Sequence, residues 1–218
     1  MHKILMPSPQ MDTVKWEGRV VSPEPGRIGL IVVDMQNFFL HASGMNLANA
    51  REVVPRINEI AIAVRRAGGT VVFLRHTFTP SGPQAMPAWQ LTDPQRAALL
   101  AASLSEGTEG HQLWPEINVQ PQDLLVNKYR PSAFIANSST LDAALRTRNI
   151  DTLIVTGTMT NVCCESTARD AQMMNYRVIF VADATATAND DLHNATLLNL
   201  QYYFADVVLT DEVLRLMG

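Results

Sequence analysis

The chain has 218 residues, 47% hydrophobic and 17% charged, with a formal net charge of −4. Its Lys and Arg residues are scattered instead of forming a basic stripe, which argues against nucleic acid or an anionic membrane as partner. Its apolar runs are strand-sized and its first nine residues lack an apolar signal core, so a cytoplasmic protein with no membrane span is expected.

In chain order, residues 1–27, with Pro7, Pro9, Pro23 and Pro25, read as an extended arm that drapes over the core or reaches a neighbouring subunit. A single domain then occupies 28–218. Its first strand is IGLIVV at 28–33, followed by a helix carrying Val53, Val54, Ile57, Ile60, Ala61 and Val64 that stops at Gly68-Gly69. TVVFLR at 70–75 is a second strand. Residues 79–121 hold Pro80, Pro83, Pro87, Pro94, Pro115 and Pro121 with Trp89 and Trp114 around one short helix, Pro94 to Leu104, an insert long enough for a lid or interface. Strands follow at 123–127 and 151–155, with a helix through Leu141, Ala144 and Leu145 between them, then at 177–182 and 206–209. Strands alternating with helices predict an α/β fold whose mostly parallel sheet is covered on both faces.

Ligands of such sheets collect beyond the carboxyl ends of the strands. Three polar residues lie there: Asp34 after Ile31-Val32-Val33, Lys128 after Leu124 to Asn127, and Cys163 a turn beyond Val155. Each has a plain alternative, Asp34 as a helix cap, Lys128 as an exposed strand-end charge, Cys163 as a small buried hydrophobe. Together they supply a base, a cation and a nucleophile, the set that acyl transfer from an amide requires. A cysteine in the first helical turn also meets free N–H groups and the positive end of the helix dipole, which predicts a lowered thiol pKa. The two cysteines are adjacent, so no structural disulfide is expected. The glycosylation patterns at Asn137 and Asn194 carry no weight without a secretion signal.

Three motifs appear in order: Val32-Val33-Asp34-Met35-Gln36-Asn37-Phe38-Phe39, Lys128-Tyr129-Arg130-Pro131-Ser132-Ala133-Phe134, and the run 156–171 from Thr156-Gly157-Thr158-Met159 through Cys163-Cys164-Glu165 to Ala171. In these the chain resembles, over about residues 26–215, the isochorismatase-like cysteine hydrolases, which include nicotinamidases, N-carbamoylsarcosine amidase and ureidoacrylate amidohydrolase. The resemblance implies a three-layer α/β/α sandwich around a six-stranded parallel sheet. It also implies roles: Asp34 as general base, Lys128 as the ammonium holding Asp34 and Cys163 in register, and Cys163 as the nucleophile that forms a thioester. It further implies a cis peptide between Thr158 and Met159, and an oxyanion hole made by the Met159 and Cys163 N–H groups.

None of these steps requires a metal or cofactor. Zinc-dependent nicotinamidases use an Asp-x-His pair and a second histidine, whereas this chain has only His76 in that region. Cys163 favours hydrolysis of a C–N bond in a small amide, carbamoyl or ureido compound. The alternatives are a vinyl ether hydrolase using Asp34 as acid, or a non-catalytic or thiol-sensing protein on the same fold. The family and the proline-rich segments suggest a homo-oligomer, a dimer or tetramer.

Other residues admit two readings. Phe38 and Tyr129 are the aromatic candidates for substrate contact, with Trp89 joining them if the insert folds over the crevice. Arg130 could fork onto a substrate carboxylate or pack its loop against Asp170, and His76 could touch substrate or be satisfied locally. Cys164, about 100° further round the helix, should face the sheet, and Glu165 and Arg169 should pair at i,i+4. The remaining histidines, His2, His41, His111 and His193, lack ligand-like spacing and read as solvated or structural.

Overall fold

The computed structural model describes residues 1–7, 23–41 and 43–218. Six parallel strands form one sheet in the order β3-β2-β1-β4-β5-β6: β1 (Ile28–Val33), β2 (Thr70–His76), β3 (Leu124–Lys128), β4 (Thr152–Thr158), β5 (Arg177–Ala186) and β6 (Asp206–Val208). Strand β1 lies between β2 and β4, with Val33 beside Leu74 on one side and Gly157 on the other. Its alternation explains the layers. Ile28, Leu30 and Val32 join one apolar core, Ile31 and Val33 the other. Each such side chain taken fully from water contributes roughly 1.5–3 kcal/mol, so both faces must be covered.

Helices do this. In chain order they are α1 (Asn37–Leu40), α2 (Ala48–Glu52), α3 (Val54–Arg66), α4 (Pro94–Leu104), α5 (Leu141–Arg146), α6 (Glu165–Met173), α7 (Asp190–Asn199) and α8 (Thr210–Leu216). Ile57, Ile60, Ala61 and Val64 of α3 pack with Val213 of α8 in the first core, while Leu141 and Leu145 of α5, Ala168 and Ala171 of α6 and Leu197 of α7 fill the second. Among the described residues no helix is long and apolar enough to cross a membrane.

Strands β4 and β5 run three and four residues past their predicted ends. A register shift after Val155 lets Gly157 pair with Thr185 and Thr158 with Ala186, so a stretch of small, mildly polar residues remains strand. Helices α7 and α8 have no counterpart in the predicted elements; α7 starts where Asn189 Oδ1 caps the Leu192 N–H, at 2.9 Å.

The insert is anchored at its far end. The Asn58 amide of α3 donates to Glu116 O and accepts from Asn118 N, and Arg65 bonds both carboxylate oxygens of Asp123. Trp114 N–H donates to Met35 O, bringing the insert against the segment after β1. At the other terminus, residues 1–7 lie on their own chain. His2 is buried, taking the Thr187 N–H on Nε2 and giving its Nδ1 proton to Asp190 Oδ1, while Leu5 N–H donates to Asn194 Oδ1. Residues 8–22 of the expected arm lie outside the described residues.

Candidate active site

The carboxyl ends of β1, β2, β3 and β4 converge on one buried cluster. Asp34 directly follows β1; its N–H donates to Leu74 O at 3.1 Å, and its φ of 49° turns the chain sharply, a left-handed conformation that Asp tolerates better than most residues. Lys128 is the last residue of β3 and pairs in register with His76, the last of β2. Cys163 sits in a π-helical turn, Thr160–Cys164, in which Met159 O accepts from Val162 N and Cys164 N before α6 begins. The Thr158–Met159 peptide preceding that turn is cis. Gly157 brings β4 in: at φ 104° its place for a Cβ lies 2.2 Å from Val33 O, so only glycine lets the two strand ends approach.

Asp34 and Lys128 are fully buried, with Lys128 Nζ 2.8 Å from Asp34 Oδ2. The ammonium also reaches His76 Nδ1 at 3.3 Å and Arg130 O at 3.1 Å. Donor atoms of Asp34, His76 and Cys163 all lie within 4.8 Å of one another. The three residues singled out at the strand ends therefore meet, and His76, offered by the sequence with two readings, stands among them.

Electrostatics give each group a state. Burial raises the Asp34 carboxyl above its ordinary range, against the opposing pull of Lys128. Burial works against the Lys128 ammonium, but Asp34 and Cys163 outweigh it, and its pKa stands above the usual lysine value. His76 is held well below its ordinary value by burial and by Lys128, His111 and Arg130, so its ring is neutral. The thiol corrects the sequence expectation. Burial pushes Cys163 up to about 12, with Lys128 pulling down and Asp34 pushing up; a π turn inside a sealed site outweighs any helix-end effect. The resting group is a thiol that needs a base beside it.

Cys164 is fully buried with Sγ 3.8 Å from Thr156 O, turned to the sheet. Glu165 and Arg169 pair at 2.6 Å, and the second Glu165 oxygen accepts from Thr196 of α7. Arg130 is committed elsewhere: its guanidinium donates to Gln84 O, Ala85 O and Tyr129 O, strapping the start of the insert to the residue after Lys128, with no bond to Asp170. Phe38 is buried edge-on against Phe39. Tyr129 lines a cavity of about 460 Å³ with Arg75, Glu106, Asn127 and Thr140, to which Asp34 and Cys163 do not contribute. Trp89 is 73% exposed on the short turn Ala88–Gln90.

One support escaped the sequence reading, and another, His193, keeps the structural one of its two readings. Gln36 is buried; its Oε1 takes the His76 N–H at 2.8 Å and its Nε2 donates to His76 O and His111 O, fixing the end of β2. His193 is buried with Nδ1 3.0 Å from Thr160 Oγ1, under the turn that carries Cys163. The only signal for Gln36 was its place two residues after Asp34.

Asp34, His76 and Cys163 supply oxygen, nitrogen and sulfur, a donor set zinc accepts. The set does not fit a resident cation, because Lys128 already places an ammonium within 3.3 Å of two of the three.

Residues 29–212 match the isochorismatase domain model. A ureidoacrylate amidohydrolase of Pseudomonas savastanoi pv. phaseolicola is 34% identical over 205 residues, covering 87% of this chain and 83% of the relative. Nicotinamidase 3 of Arabidopsis thaliana is 35% identical, covering 93% and 95%. Among solved structures, a cysteine hydrolase from Pseudomonas syringae pv. phaseolicola superposes with a TM-score of 0.80 at 30% identity, covering 93% of this chain and 98% of the other.

Proposed function

The chain belongs to the isochorismatase family, and from that premise we propose that it hydrolyses a C–N bond of a small amide, carbamoyl or ureido compound through a thioester on Cys163. The observation that carries this reading is the buried cluster of Asp34, Lys128 and Cys163. The amide-cleaving activities in the names of two relatives agree with it.

A thiol with a pKa near 12 cannot attack as a preformed thiolate at neutral pH, and a carboxylate raised above its usual range is a better base than an ordinary one. The steps follow. Asp34 takes the Cys163 proton as the sulfur bonds to the scissile carbonyl carbon, and the oxyanion forms against the Met159 and Cys163 N–H groups. The C–N bond breaks as Asp34 returns that proton to the departing nitrogen. Water then gives a proton to Asp34 and its oxygen to the thioester carbon. Collapse releases the acid and restores the thiol. Lys128 keeps its proton throughout and offsets the negative charge that passes between Asp34 and Cys163.

The test compares the protein with Cys163→Ala on a panel of primary amides and ureido acids, following ammonia release with and without a chelator. The expected result is release by the unaltered protein alone, indifferent to the chelator. Equal release by both proteins removes Cys163 as nucleophile.

A further inference from the structure

We propose that His2 is a positioning residue for the reaction: it fastens the segment that grips the first residues of the turn bearing Cys163. This rests on the hydrolase reading above and adds a residue to its machinery.

The residues that open the turn lean on the chain at and beyond the end of β5. Thr158 Oγ1 donates to Ala186 O at 3.0 Å, Thr187 Oγ1 donates to Asn161 Oδ1 at 2.6 Å, and His193 Nδ1 lies 3.0 Å from Thr160 Oγ1. Thr158, Thr160 and Asn161 are therefore all held by residues 186–193. Met159 stands between them and Cys163 ends two residues later, and these are the two N–H groups to which the proposed mechanism gives the oxyanion. A shift of residues 186–193 is passed directly to them.

His2 closes that segment. A backbone N–H only donates, so the Thr187 N–H, 3.0 Å from His2 Nε2, meets a lone pair there, which leaves Nδ1 to carry the ring hydrogen. Nδ1 gives that hydrogen to Asp190 Oδ1 at 2.8 Å. The same ring stacks on His193, with centroids 4.3 Å apart and planes 14° from parallel. One buried side chain thus meets residues 187, 190 and 193 at once. Without its acceptor the Thr187 N–H is buried and orphaned, a state costly enough that the backbone moves or water enters to pair it. Thr187 then carries its hydroxyl away from Asn161. The other anchor of residues 1–7 works differently: the Leu5 N–H and Lys3 O bond the Asn194 side chain, which makes no hydrogen bond to the turn among the described residues.

Three variants test this on whichever amide or ureido compound the unaltered protein turns over. His2→Phe fills the place of the ring but has no acceptor for the Thr187 N–H. Its kcat should fall about tenfold or more with KM within about twofold, since a misplacement of about 1 Å costs on the order of 100-fold in rate without removing a binding group. His2→Gln offers an amide oxygen where Nε2 stood and should recover kcat to within about threefold. Asn194→Ala loosens residues 3–5 alone and should leave kcat unchanged. Hydrogen exchange read by mass spectrometry needs no substrate: in His2→Phe the stretch 158–164 should exchange about tenfold faster while β1 stays as protected as in the unaltered protein. An unchanged kcat in His2→Phe, an equal loss in His2→Gln or Asn194→Ala, unchanged exchange over 158–164, or exchange that quickens equally in β1 overturns the assignment. If no compound of the panel is turned over, the hydrolase reading fails on that panel, and exchange over 158–164 alone decides whether His2 holds the turn.

Discussion

Lys128 Nζ lies 2.8 Å from Asp34 Oδ2 with both side chains wholly removed from solvent. Breaking such a pair from one side leaves an uncompensated buried charge, at a cost of about 3–5 kcal/mol, whereas replacing both partners with neutral groups is nearly harmless. Lys128→Met should therefore lower stability by roughly that amount and abolish turnover, and Asp34→Asn/Lys128→Met should recover most of the stability but none of the activity. Urea unfolding of the two variants beside the unaltered protein checks this. A double variant as unstable as the single one would mean that the ion pair is not what sets the cost.

The same pair shapes the pH profile. The proposed mechanism needs Asp34 ionised, and its carboxyl is raised by burial, so kcat/KM should fall on the acid side with a midpoint above 3.8, the ordinary value. On the alkaline side Lys128 stands above 10.5 and Cys163 near 12, so the profile should stay flat through pH 9. An alkaline limb centred near pH 8 would point to a thiolate–ammonium resting state and against Asp34 as base. Asp34→Asn removes a neighbour that holds the thiol up, so Cys163 should ionise at lower pH in that variant while turnover is lost; absorbance at 240 nm follows the thiolate.

Gly157 joins β4 to the end of β1. An added methyl would lie 2.2 Å from Val33 O and 2.6 Å from Val33 N, both backbone atoms that cannot step aside, at a φ that L side chains rarely adopt. Gly157→Ala should cost about 1–3 kcal/mol from backbone strain alone and displace the turn bearing Met159 and Cys163, so kcat should drop more than KM rises. Thermal unfolding and steady-state kinetics on benzamide-type or ureido substrates check both parts, and a variant with unchanged kcat would show that the turn tolerates the shift.

The sheet was legible because its strands are short apolar runs, and each predicted run matches an observed strand within a few residues. The strand-end logic also brought Asp34, Lys128 and Cys163 together before any geometry was known. Three features were not legible, each for a physical reason. The thiol pKa depends on burial, which a helix-dipole argument does not contain; the finding of about 12 reverses its sign. Arg130 was read as forking onto a substrate carboxylate or packing its loop against Asp170, because nothing in the local sequence announces that Gln84 and Ala85, some 45 residues earlier, present carbonyls to it. Gln36 and His193 act through contacts 40 and 33 residues away, which no local periodicity encodes.

His193 makes the last prediction. Its ring is fully buried, stacks on His2 with centroids 4.3 Å apart, and shares a hydrogen bond with Thr160 Oγ1, the first residue of the turn that ends at Cys164. Burial first, and the nearby His2 second, lower its pKa to about 4. The unfolded chain takes up the proton near the ordinary value of about 6.5, while the folded protein resists it until about 4. Between those values the unfolded state binds more protons, so stability from this group is complete above about pH 6.5 and declines as pH falls toward 4. The full loss is on the order of 3–4 kcal/mol, from about 2.5 pH units of displacement at about 1.4 kcal/mol each. His76 and His111 are lowered as well and add slope of the same sign. His193→Gln cannot titrate, so its urea midpoint should change less between pH 7 and pH 4.5 than that of the unaltered protein. Activity should follow the same course, because the ring that takes up the proton is hydrogen-bonded to Thr160, the first residue of the turn that ends at Cys164. Equal pH slopes in the two proteins would place the acid sensitivity in His76 and His111 and leave His193 a packing residue.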